Sequence, residues 1–144
     1  METFLSLVGD SQEKNEDLSV IEARIHTHIT PGLKRFFAEL SAYTRPPEAI
    51  NKVTTSMMLI LFPDTQNTWT EAKKKLKSFK AFTELIVKTQ NEKIPIGRDR
   101  MNQVETILSN TPNLGNQVKN ISVAGYSLYL WTVDFINILK LRST

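Results

Sequence analysis

Apolar positions recur at helical spacing over most of the chain, and no stretch alternates apolar and polar residues as a half-buried strand would. From Leu18 the series runs Ile21, Ile25, Ile29, Leu33, Phe36, Leu40 and Tyr43, in steps of 3, 4, 4, 4, 3, 4 and 3. That is a heptad-like seam with one extra four-residue step, a stutter, near Ile29. Thr30-Pro31-Gly32 falls at the same point, so the pattern predicts a helical stretch over 18–43 with a kink or break there. Pro46-Pro47 opens the next helix, because a proline in the first turn gives up only an N–H that has no helical partner. Ile50, Val53, Met57 and Ile60 or Leu61 carry its period as far as Pro63-Asp64.

Thr68-Trp69-Thr70-Glu71 reads as a capping box, with the threonine oxygen accepting a free backbone N–H and the glutamate returning to another. The helix it starts carries Lys73, Lys74, Lys75 and Lys77, and Ser78 caps a further short helix holding Phe79, Phe82, Leu85 and Ile86. Ile94-Pro95-Ile96-Gly97 marks a turn or helix start ahead of Met101, Val104, Ile107 and Leu108. Asn110-Thr111-Pro112-Asn113 breaks the chain again. The last helix then shows Ile121, Ala124, Leu128, Trp131, Phe135 and Ile138 in steps of 3, 4, 3, 4 and 3, a two-per-heptad seam. The expected class is therefore all-α. Two long terminal helices with a coiled-coil habit flank a cluster of short ones, and a generic helical bundle fits the same periodicity.

Charge and composition narrow the function classes. The chain has 144 residues, enough for one domain, and a net charge of +3. Residues 1–17 hold five carboxylates against Lys14 alone, so the remaining body is basic and suits an acidic partner surface. That acidic, glycine-containing N-terminus is expected to be disordered. With no cysteine there is neither a disulfide nor a thiolate metal site. The longest apolar run, Met57 to Phe62, is too short to span a bilayer, and residues 1–4 lack the features of a signal peptide. An intracellular, soluble chain without a membrane partner is the expectation.

Candidate chemistry is sparse. There is no P-loop, and the carboxylates form no pair suited to acid–base work. His26 and His28, two residues apart, point to different faces of a helix and read as exposed or edge residues rather than metal ligands. Trp131 sits on the apolar seam and reads as core. Trp69 reads as packing over its own helix start, and neither tryptophan is interleaved with cations as a base-stacking residue would be. An enzyme, a nucleic-acid binder, a cofactor and a small-molecule substrate are all disfavoured.

Several motifs in order carry a family resemblance. Tyr43-Thr44-Arg45-Pro46-Pro47-Glu48-Ala49-Ile50 resembles the point where the ascending coiled-coil helix of a dynein heavy-chain stalk enters its microtubule-binding tip. Trp69 with its lysine-rich helix is similar to the tryptophan-led helix of that tip, and Ile96-Gly97-Arg98-Asp99-Arg100-Met101 to a later basic helix start. Asn113 through Trp131, with Val118, Ser122, Ala124 and Leu128 in register, resembles the last tip helix running into the returning strand of the stalk. The resemblance covers roughly residues 37–140.

It implies a six-helix head on a short antiparallel coiled coil, without motor activity of its own, binding where α- and β-tubulin meet. It further implies sliding of the two stalk helices, and a place in the cytoskeleton of the cytoplasm or of a cilium, within a larger dynein complex. The implied segments are an ascending helix at 18–43, a head at 44–120 and, over 121–144, the last head helix continuing into the returning one. The implied microtubule-contacting residues are Lys52, Arg98, Arg100 and Lys119. Arg98 and Arg100 fall on matching basic positions. Asn51, Asn120 and Val123 stand where the family carries cations, and Lys52 and Lys119 are the nearest charges. Those three departures favour an alternative: a helical interaction domain that keeps the fold, with Ile121, Leu128 and Phe135 pairing with another chain.

Overall fold

A computed structural model of the chain describes residues 17–92 and 95–142, and every regular element among them is helical. Eight α-helices follow in order: α1 Leu18–Ile25, α2 Lys34–Leu40, α3 Glu48–Leu61, α4 Trp69–Lys77, α5 Phe79–Glu92, α6 Arg98–Ser109, α7 Leu114–Ile121 and α8 Val123–Arg142. A 3-10 turn, Pro31–Leu33, precedes α2. The acidic segment expected to be disordered lies outside the described residues apart from Asp17, as does Ile94 of the expected turn.

The helical stretch expected over 18–43 is divided around Pro31, where a kink or break was expected, into two short helices. The chain leaves helical geometry after Ile25, and Thr30 is extended at φ −128°, ψ 162°, as a residue before proline must be. Of the expected apolar series Ile21, Ile25, Ile29 and Leu40 are buried, whereas Leu33, Phe36 and Tyr43 are only half-buried and Phe37, outside the series, is the aromatic that α2 turns into the core. Pro47 sits just before α3, whose face of Ile50, Val53 and Met57 is fully buried. At α4 the Thr68 oxygen accepts the Glu71 backbone N–H at 3.4 Å. The Glu71 carboxylate turns outward to Lys74 at 3.2 Å.

The last helix departs most from its sequence pattern. The seam predicts a helix running through Ile121, but Ser122 is extended at φ −154°, ψ 128° and divides α7 from α8. The Ser122 hydroxyl accepts the Gly125 N–H at 2.9 Å, which satisfies a free donor of the new helix. α8 is then buried on all sides rather than along one stripe: every residue from Trp131 to Leu139 is buried. It packs against α1, α2, α3 and α7 and forms the axis of the bundle. A helix buried on every side lies in a core rather than on a two-helix seam. Trp131 and Phe135 stack along it, ring centroids 5.0 Å apart.

α1 runs antiparallel to the C-terminal half of α8. Glu22 lies 3.5 Å from Arg142, whereas Arg24 and His28 reach back to Asp134. No helix among the described residues is long and apolar enough to cross a membrane.

Candidate interaction surface

The end of the bundle away from α1 is built by α3, the α6–α7 loop, α7 and the start of α8. Asn113 opens α7 in the left-handed region at φ 59°, a conformation asparagine tolerates better than other side chains. α7 turns Leu114 and Val118 into the core. α8 approaches closely here, because Gly125 has no side chain: a Cβ would lie 2.6 Å from Ile50 Cδ1 and 3.1 Å from Val118 Cγ1. Tyr126 and Tyr129 stack at 6.4 Å. Burial, and then the neighbouring Tyr126, pushes the Tyr129 hydroxyl up to about 12, so it stays protonated.

What remains outside is a mixed surface. Lys119 is exposed with Nζ 5.7 Å from the centre of the Tyr126 ring, and Asn120 is exposed beside it. Ile121 is 37% and Val123 50% exposed, as Val20, Val87 and Leu141 also are elsewhere on the surface. Exposed Asn51 belongs to α3.

The four sequence-predicted site residues do not share one patch. Lys52 belongs to the α3 side of this end, but its ammonium donates to the Thr111 hydroxyl and lies 3.7 Å from Glu48. It thereby ties α3 to the α6–α7 loop. Lys119 is at the same end, exposed over the Tyr126 ring. Arg98 and Arg100 occupy the first turn of α6, where Arg98 lines a groove with Ile96, Met101 and Leu139. Leu139 is 13 residues along α8 from Tyr126, about 20 Å at the helical rise. Arg98 therefore belongs to the opposite half of the molecule. A third basic region joins α2, the end of α4 and the start of α5, where Lys34, Lys77 and Lys80 line an open groove with Phe79.

Of the seam residues expected to pair with another chain, Leu128 and Phe135 are fully buried, and only Ile121 is available.

Sequence reading also missed the polar chemistry inside the bundle. The Asp134 carboxylate, 3% exposed, accepts from Arg24 Nε at 3.0 Å, from an Arg24 terminal nitrogen at 2.7 Å and from His28 Nε2 at 2.7 Å. Burial by itself would raise its pKa. The His28 and Arg24 hydrogen bonds, with the charge of both partners, outweigh burial and hold the carboxyl below its ordinary 3.8. His28, expected at an edge, thus serves the interior. His26 is exposed, and its Nδ1 lies 2.8 Å from Gln90 Nε2, while Gln90 Oε1 accepts the Trp131 indole N–H at 2.9 Å. The visible signal was Asp134 itself, a carboxylate inside the apolar run Trp131–Leu139. An acid at such a position needs a cation from elsewhere in the chain.

No family model, no curated protein and no solved structure gives a significant match to this chain.

Proposed function

We propose that the chain is a microtubule-binding head of the dynein-stalk type, carried on two adjacent helices, with no catalytic activity of its own. The observation that carries this reading is the disposition of the two ends. The incoming α1 and the outgoing α8 lie side by side and antiparallel at one end, joined through Glu22–Arg142 and Arg24–Asp134. The Lys119–Val123 surface lies at the other. Six helices, α3 to α8, follow Pro46-Pro47, the number that the resemblance implies.

In this reading α1 and the last turns of α8 are the base of a stalk-like antiparallel pair. Lys119 and the exposed neighbours of α3 and α7 face the acidic tubulin surface, and Ile121 and Val123 add apolar area at the centre of the contact. Arg98 and Arg100, half a molecule away, act at long range through the field they add rather than in the contact itself. Each exposed ion pair contributes about 0.2–1 kcal/mol, so binding should be weak to moderate and strongly dependent on salt.

The test is co-sedimentation of the purified chain with stabilised microtubules at low and at moderate ionic strength. Saturable binding that weakens with salt, and falls several-fold in Lys119→Glu, is the expected result. No binding at low salt would overturn it.

The second reading is a helical interaction domain that keeps this fold and binds another protein instead. Lys52 favours it, being engaged inside the domain rather than offered to a partner, as do the exposed Ile121 and Val123. Binding through an apolar patch would be insensitive to salt and would fall on Val123→Ser but not on Lys119→Glu.

A further inference from the structure

We infer that residues 4–8 of this chain dock in the groove between the start of α6 and the end of α8, where Arg98 and Arg100 meet the carboxylates that follow them in sequence. The inference rests on the fold and the sequence alone and stands whether or not the head binds microtubules.

The groove has a volume of about 350 Å³, at the small end of the range for binding clefts. Its apolar wall is Ile96, Met101 and Leu139. Ile96 and Met101 are half-buried, and Leu139 is 8% exposed. Lys140 donates to Glu105 at 2.6 Å and holds α8 to α6 beside it. Arg98 lines the groove, and Arg100 is half-buried in the same turn of α6. Neither arginine has an ion-pair partner among the described residues. Asp99 between them leaves the turn with one net positive charge, to which the first N–H groups of α6 add, since Gly97 brings no side-chain cap. An apolar wall edged by unpaired arginines fits an apolar segment that continues into carboxylates.

The chain carries such a segment next to the groove. Phe4, Leu5, Leu7 and Val8 are followed by Asp10, Glu13 and Glu16. α1 begins beside the end of α8: Glu22, one turn into α1, lies 3.5 Å from Arg142, and Leu139 is one turn of α8 before Arg142. Groove and start of α1 are thus separated by about two turns, roughly 11 Å of helix, and the side chains of that ion pair. Residues 9–17 reach about 30 Å when extended, which spans this with slack. A short tether supplies the segment at about millimolar effective concentration, so a weak site is enough to hold it.

The other cationic groove fits this occupant poorly. It is lined by Lys34, Lys77 and Lys80, with Phe79 as its one large apolar side chain. It would take the carboxylates and leave Phe4 and Leu7 in water. It also lies farther from α1: His26 at the end of α1 meets Gln90, and Lys80 is ten residues, about 15 Å, back along α5. Docking between α6 and α8 offsets the field of Arg98 and Arg100, so the chain with its segment in place meets an acidic surface through Lys119 and its neighbours.

The chain has no cysteine, so Ser6→Cys carries a nitroxide at a single position of the full-length protein. Paramagnetic broadening of backbone amide signals should be strongest at residues 96–102 and Leu139. Phe4→Ser with Leu7→Ser keeps the tether and every carboxylate, and should reduce that broadening several-fold. Arg98→Glu with Arg100→Glu should do the same, with the signals of α3 unmoved in both variants as a check on the fold. Broadening strongest at Lys34 and residues 77–81, or no broadening in the groove, would overturn the inference. So would broadening that either pair of substitutions leaves unchanged, since the label would then be near the groove only because it is tethered there.

Discussion

The two halves of α8 meet their surroundings differently. From Trp131 to Leu139 every residue is buried, two aromatic rings stack, and the one carboxylate is bonded three times. At the first turn Val123 is half exposed, and the helix begins only because Ser122 breaks from α7 and caps it. The C-terminal half keeps the domain folded and positions α1. The N-terminal turn leaves Val123 uncovered, next to the exposed Lys119 and Ile121 of α7. Burial and exposure are thus placed at opposite ends of one helix, and under the proposed function substitutions at the two ends should differ in kind.

The largest effect is expected at Trp131. Trp131→Ala removes the largest fully buried side chain and the donor to Gln90, and should cost about 3–5 kcal/mol by denaturant unfolding. A loss below about 1 kcal/mol would mean that this half of α8 is not the core described here.

Asp134→Asn should cost about 2 kcal/mol near neutral pH, since hydrogen bonds to a charged group contribute about 1.5–3 kcal/mol. The pH dependence has a definite sign. Because the folded carboxyl titrates below its ordinary 3.8, its contribution is complete above that value and is lost as pH falls through the lowered one. Urea melts of both proteins across acid pH should therefore converge, and a constant gap would contradict the ionic description of Asp134 and its partners.

Gly125→Ala probes the first turn of α8, where it packs closely on α3 and α7. A better helix former gains about 1 kcal/mol, but its methyl would meet Ile50 and Val118 at 2.6 and 3.1 Å, and overpacking costs about 1–3 kcal/mol. A net loss of about 1 kcal/mol in thermal unfolding is expected, and a stabilised variant would show that α3 can yield at this contact.

Smallest in stability are Lys119→Ala and Val123→Ser, each within about 0.5 kcal/mol of the parent protein, as substitutions on an open surface are. Microtubule affinity is where they should register. A Val123→Ser variant that unfolds early would place Val123 in the core and remove the contrast between the two halves.

Helix placement was legible where one face of a helix is apolar. The Ile50–Val53–Met57 period marked α3, and Thr68 marked the start of α4. The pattern misled where burial is not one-sided. The heptad reading of Ile121 to Ile138 picked out residues that are mostly buried, yet a seam cannot reveal that Val133, Ile136 and Leu139 on the other faces are buried too. It also ran through Ser122, whose capping hydroxyl is a local choice that periodicity does not register. His28 and Asp134 are 106 residues apart, and no local pattern links them. Of the candidate site, Lys119 stands where a surface residue was expected. Lys52 turned inward because Thr111, far along the chain, happens to face it.

The central claim is that the two ends of α8 are divided between support and contact. Hydrogen exchange with and without stabilised microtubules, at low salt, tests it most directly. Added protection is expected over residues 114–126, with none over α1 or the last turns of α8. Protection confined to the lysine face of α4 and α5, or to α1, or no protection anywhere, would contradict it.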